Sequence, residues 1–160
     1  MPESLAACRN YVGVEIPGQK IVLFLVWCIW SGAAWGLGVA SCDAPTPIHF
    51  NAGASSAEVT GAVARGERAC FTFEARRGQH MSLSQPGQQN SNVVVQIYRP
   101  QWTIDHSPDG IIVRGQALRG AAEGDDTQAW AGILPAAGKY LLVLGTSWGG
   151  GEYRVRVAIR

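Results

Sequence analysis

From Ile48 onward, short runs of β-branched and aromatic residues alternate with turn signals, and no stretch carries a strong helical period. The runs are AEVTGAV (57–63), CFTFEA (70–75), HMSLS (80–84), NVVVQIY (92–98), QAWAGIL (128–134), KYLLVLG (139–145) and EYRVRVAI (152–159). In CFTFEA, Phe71, Phe73 and Ala75 share one face while Thr72 and Glu74 share the other. In the last run Tyr153, Val155, Val157 and Ile159 point inward, with Arg154 and Arg156 outward. KYLLVLG is apolar on both faces, which predicts a central strand. Pro135 ends one strand, and Gly138 supplies a positive φ before the next. The last two runs are joined by TSWGGG (146–151), read as a flexible hairpin tip. The segments QWTIDHSPDG (101–110) and RGAAEGDD (119–126) read as surface loops around a short strand near 111–113. The pattern predicts an all-β protein, an antiparallel β-sandwich of seven to eight strands.

The first forty residues are of another kind. Lys20 precedes the uncharged run IVLFLVWCIW (21–30), and the small residues of SGAAWGLGVASC (31–42) follow. A basic residue, an apolar core and a small-residue exit describe a secretory signal. Residues 21–40 also have roughly the 20-residue length of a bilayer span, but their Gly- and Ala-rich second half favours cleavage. The expected organisation is a lipoprotein-type signal over 1–41, a linker over 42–47 and a β-sandwich domain over 48–160. Val39-Ala40-Ser41-Cys42 resembles a lipoprotein box, so Cys42 is expected to be the lipidated N-terminus, held to a membrane by its acyl chains. Two other fates are open to it: cleavage after Ala40 that leaves a free thiol, or a disulfide to Cys70 in an oxidising periplasm.

Composition narrows the function. The chain has 160 residues, enough for one domain, and a formal net charge of +1, so no global field draws in nucleic acid or an anionic membrane. Basic residues must act locally. Cys8, Cys28, Cys42 and Cys70 lack metal-site spacing, and His49, His80 and His106 stand far apart, so no metal site is expected. GTSWG (145–149) fits G-x-S-x-G, but that elbow needs a following helix and later Asp and His partners, and none follows Ser147. Asp105, His106 and Ser107 are sequence neighbours, whereas triads are assembled from separate segments. Glu123, Asp125 and Asp126 lack the punctuated pattern of a calcium loop and read as an acidic turn. No catalytic residue and no cofactor is expected. Surface recognition is left. Trp148 and Trp102 are candidate anchors, although Trp102 can equally fold back over the end of the sandwich. Arg65 and Arg68 flank one turn, and Arg76 and Arg77 read as a solvated rim.

The stretches IHFNAGASSAEVTGAVARGERACFTFEARRGQ (48–79), IYRP (97–100), GILPAAGKYLLVL (132–144) and YRVRVAI (153–159) resemble the periplasmic inhibitors of g-type lysozyme. More loosely they resemble bacterial pre-peptidase C-terminal modules. The first resemblance implies a non-catalytic periplasmic or cell-envelope protein that plugs the peptidoglycan-cutting cleft of a g-type lysozyme. Arginines on rigid loops could there pair with cleft carboxylates. It also implies an aromatic contact before the FTF strand and basic residues in the last hairpin. Here the first loop offers Arg65 and Arg68 without a tyrosine, and the last connection offers Trp148 without an arginine. The partner-binding residues expected are therefore Arg65, Arg68 and Trp148. The second resemblance implies a carbohydrate- or protein-binding module whose stacking faces on cell-wall glycan would be Trp102 and Trp148.

Overall fold

The computed structural model describes residues 40–88, 91–108 and 110–160. All of the expected signal segment except Ala40 and Ser41 lies outside them, as do Cys8 and Cys28. Gly36–Arg160 forms one compact unit.

Every element described is a strand: β1 (Thr46–Pro47), β2 (Ser56–Val63), β3 (Ala69–Ala75), β4 (His80–Ser84), β5 (Val93–Tyr98), β6 (Thr103–Ser107), β7 (Gly110–Arg114), β8 (Trp130–Ile133), β9 (Gly138–Thr146) and β10 (Gly151–Ile159). Two four-stranded sheets, β1-β3-β9-β5 and β2-β10-β4-β8, pack as a sandwich, and β6–β7 is a separate hairpin. Pairing is antiparallel apart from the short β1, which runs parallel to β3.

The two-residue period decides which side chains meet. Tyr153, Val155 and Val157 of β10 are buried while Arg154 and Arg156 face solvent. Opposite them Phe71, Phe73, Tyr140, Leu142 and Leu144 complete the core. Phe73 stacks on Tyr140 with ring centroids 5.2 Å apart, and Phe71 meets Tyr153 edge-on at 6.0 Å. Each such pair contributes about 0.5–1.5 kcal/mol beyond its burial. The tight β8–β9 connection behaves as expected. Gly138 has a φ of 128°, and Tyr140 Oη pins Ala136, accepting from its N–H at 3.1 Å and donating to its carbonyl at 2.8 Å.

The doubly apolar strand is central. β9 lies between β3 and β5, and Tyr140 through Leu144 are buried without a break. Its outward residues Leu141 and Val143 form a second cluster with Tyr98, Cys42 and Cys70. Ile104, Ile111 and Val113 of the β6–β7 hairpin cover that cluster, with Trp102 and Ala117 beside them. Residues 101–110 are thus mostly strand, not the expected loop. Ile104 is the single large aliphatic residue of β6, so the strand shows its pattern only against β7. The segment after β7 closes the free edge of β5. Val95 N–H donates to Thr127 O at 2.7 Å, Ile97 N–H to Ala121 O at 2.9 Å and Arg99 N–H to Gln116 O at 2.9 Å.

Two further expectations change. β9 and β10 belong to different sheets, so residues 147–150 arch between sheets instead of closing a hairpin. A strand apolar on both faces needs cover on both, which only the first sheet has; the alternating β10 suits the one-faced sheet. Second, Cys42 and Cys70 form a disulfide, both of them buried. A thioether lipid anchor needs the same sulfur, so lipidation of Cys42 is without support. Nor are residues 42–47 a free linker, since they carry this bridge and β1. The loop closed spans 28 residues, and chain-entropy arguments give such a bridge about 3–4 kcal/mol. The bridge is consistent with an extracytoplasmic location.

Candidate functional site

The register gathers several connections at one end of the sandwich. Val63 at the end of β2 pairs with Gly151 at the start of β10, and Ala69 at the start of β3 pairs with Leu144 near the end of β9. Val93 pairs with Thr146 there as well. The 64–68 turn and the 147–150 arch therefore lie side by side, although they are far apart in sequence. A Cβ on Gly150 would sit 3.1 Å from Val63 O and 3.7 Å from Arg65 N, so a side chain there would have to push the 63–65 backbone back by a few tenths of an ångström. The 64–68 turn is closed by Glu67 N–H donating to Ala64 O at 3.0 Å, with Gly66 at a φ of 79°.

Trp148 stands at the tip of the arch and is 74% exposed. Its backbone is well held all the same. Asn92 Nδ2 donates to Trp148 O and, at 2.9 Å, to Gly150 O. The Asn92 carbonyl accepts from Ser147 N–H at 3.0 Å and from the Ser147 hydroxyl at 3.1 Å. Thr146 Oγ1 donates to Gly149 O at 2.7 Å. An exposed indole on a fixed backbone loses little freedom when it is buried by a partner.

The two arginines of the 64–68 turn differ. Arg65 is exposed and makes no ion pair among the described residues. Arg68 is partly buried and pairs with Glu123 at 2.8 Å. By register it lies in the row of Gly145 and Val94, across the outer face of the first sheet. Burial, and after it the charge of Glu123, raise the Tyr98 hydroxyl above its ordinary range, while Arg68 pulls it back. Between this turn and the end of the β6–β7 hairpin runs a polar groove of 300 Å³, lined by Gly66, Glu67, Arg68, His106, Ser107 and Ile111. His106 there faces Asp43 at 3.3 Å.

These partners bear on the chemistry set aside from sequence. The Ser147 hydroxyl is bonded to a main-chain carbonyl, and a strand, not a helix, follows it. Asp105 pairs with Arg114 while His106 faces Asp43, so the two neighbours serve different partners. Asp125 accepts from Ala122 N–H at 2.8 Å and closes a turn.

Trp102 is elsewhere. Its indole N–H donates to Lys139 O at 3.0 Å, near the start of β9, whereas Trp148 follows the strand's end. It is half-buried against the second cluster, which is the folded-back alternative. Sequence reasoning missed two residues: Asn92, which reads only as the first letter of a strand, and Glu123, which reads as one acid in an acidic turn. An asparagine beside a run of valines was the available signal for the first; nothing local pointed to the second.

The chain is similar in fold to solved periplasmic inhibitors of g-type lysozyme. The inhibitor from Aeromonas hydrophila shares 24% identity, with 72% of this chain and 96% of the inhibitor covered, at a TM-score of 0.53. The Salmonella Typhimurium inhibitor shares 20% identity over 72% of this chain and 97% of its own, at 0.50. A mutant of the Escherichia coli inhibitor gives the same values. At such identities the shared property is the fold. No protein-family model matches the sequence, and no curated protein matches it significantly.

Proposed function

We propose that this chain is a non-catalytic, extracytoplasmic inhibitor of g-type lysozyme, which blocks the enzyme's cleft with the loop end of the sandwich. The observation that carries the reading is the exposed Trp148 on a pinned backbone, with Arg65, unpaired among the described residues, on the adjoining turn. The indole supplies the desolvated anchor and Arg65 the pairing charge, with Arg68 held ready by Glu123. The fold likeness to the inhibitors of g-type lysozyme supports it, as does the disulfide, which suits the periplasm. A glycan-binding module with two stacking tryptophans fits less well, because the Trp102 indole is committed to Lys139 and to the second cluster.

The test is to titrate Gly36–Arg160, disulfide intact, against g-type, c-type and i-type lysozymes. Selective inhibition of the g-type enzyme is expected. Trp148→Ala should weaken it by about 2 kcal/mol or more, roughly thirty-fold. Arg65→Ala combined with Arg68→Ala should cost about 2–5 kcal/mol, expressed mainly as faster dissociation. Arg154→Ala with Arg156→Ala, on the outward face of β10, should do little. Absence of inhibition at micromolar concentration rejects the reading. Equal loss from both arginine pairs would mean that general charge, not a docked loop, carries the effect.

A further inference from the structure

The end of the sandwich opposite the loops has a different character. Arg76 and Arg77 occupy the turn after β3, whose backbone is fixed by Arg76 N–H donating to Gln79 Oε1 at 2.6 Å. Arg160 follows β10 and exchanges two 2.9 Å backbone bonds with His80. Lys139 opens β9 on the same side, opposite Glu74. Arg76, Arg77, His80, Lys139 and Arg160 are all exposed, and among the described residues the four Arg and Lys side chains make no ion pair. Next to His80 in the register stands Ile133, a large apolar side chain 61% exposed. The other end holds Asp43, Glu67, Glu123 and Glu152 against Arg65 and Arg68. A net charge of only +1 therefore conceals a molecule with a basic end and an acid-rich one.

We propose that the basic end is a peripheral docking surface for an anionic phospholipid bilayer, with Arg76, Arg77, Lys139 and Arg160 meeting headgroup phosphates and Ile133 entering the interfacial region. Strand ends and short turns gather these cations at one end of the sandwich, and a cluster of exposed basic residues suits an anionic lipid surface. A single-stranded polyanion would instead call for a groove that tracks its backbone. The cations belong to an exported domain whose Cys42 sulfur is already bonded to Cys70, so charge would do the work of an anchor that the bridge precludes. Docked in this way, the protein would turn Trp148 and Arg65 away from the membrane. The inference does not depend on lysozyme being the partner.

The experiment is co-sedimentation of Gly36–Arg160, a compact unit with its own disulfide, with vesicles of phosphatidylcholine alone and of phosphatidylcholine mixed with phosphatidylglycerol. Binding is expected only to the mixed vesicles, and should vanish in about 1 M salt, where the screening length is about 3 Å. Each removed cation should lower partitioning about five-fold. Arg76→Gln with Arg77→Gln should therefore lower it about 25-fold, and Lys139→Gln alone about five-fold, so the second variant decides the matter if the first misfolds. Arg65→Gln, at the other end, should leave partitioning unchanged. The proposal is overturned by absence of binding to anionic vesicles, by equal loss from Arg65→Gln, or by retention on an acidic polysaccharide without retention on vesicles.

Discussion

The sheet β1-β3-β9-β5 is buried on both faces along its central strand β9, and the sheet β2-β10-β4-β8 on one face. In β9 the consecutive residues Leu141 and Leu142 point to opposite faces, yet neither has any exposed surface. In β10 the neighbours Val155 and Arg156 divide between core and solvent. The difference is made by a third layer, the β6–β7 hairpin, and by the Cys42–Cys70 bridge beneath it. Two sheets of equal strand number thus use their sequence differently. One spends nearly every central residue on packing, and the other leaves half of its residues free to carry charge.

The sharpest way to break this comparison is at those two pairs. Leu142→Ala and Leu141→Ala should each destabilise by about 2–5 kcal/mol in denaturant unfolding. Val155→Ala should cost roughly 1.5–3 kcal/mol, and Arg156→Ala within about 0.5 kcal/mol of nothing. If Leu141→Ala proves as mild as Arg156→Ala, the outer layer does not pack on β9 and the third layer is wrong. Next in size is the bridge. Replacing Cys42 and Cys70 together by serine should cost about 3–4 kcal/mol. Hydrogen exchange should then rise first at β1 and at the β6–β7 hairpin, which lie on the disulfide side, while β4 and β10 keep their protection. Uniform loss of protection would show that the two sheets are not separable in this way.

The same contrast explains what the sequence made legible. Strands of the one-faced sheet announce themselves by alternation, and the arginines of β10 mark the solvent face directly. KYLLVLG declared a strand buried on both sides, but a run of that kind cannot say what covers it. The cover is an amphipathic hairpin whose first strand, TIDHS, has a single large aliphatic residue and looks like a loop. Cys42 was harder still, since one sulfur fits three chemistries and only its distance to Cys70 separates them, with Cα atoms 4.7 Å apart. At the loop end, Trp148 and Arg65 could be named because an aromatic within a glycine-rich connection and arginines flanking a Gly-Glu turn between two strands stand out in the sequence. Asn92 could not, because its role lies in four hydrogen bonds to an arch more than fifty residues away. A smaller test follows from the hairpin. Ile104→Ala, half-buried against the second cluster, should cost about 1 kcal/mol, whereas the more exposed Ile112→Ala on β7 should cost almost nothing.

The smallest effect distinguishes the two sheets by their tyrosines. Tyr98 lies on the outer face of the first sheet and Tyr153 on the inner face of the second. Both hydroxyls titrate above their ordinary range, which is about 10. A tyrosine whose pKa rises on folding favours the protonated state of the fold. Its contribution is fully present below the unfolded value of about 10 and is lost as pH climbs through the folded value. Stability should therefore decline on the alkaline side, and Tyr98→Phe and Tyr153→Phe should each remove part of that decline. The causes differ. Burial alone raises Tyr153, whereas at Tyr98 the Glu123 charge adds to burial and Arg68 opposes it. Glu123→Gln removes the charge that raises Tyr98 and leaves the one that lowers it. Spectrophotometric titration of this variant should show one tyrosine ionising earlier, absent when Tyr98→Phe is added and unaffected by Tyr153→Phe. A shift that follows Tyr153 instead would place Glu123 against the wrong sheet, and with it the ion pair that holds Arg68.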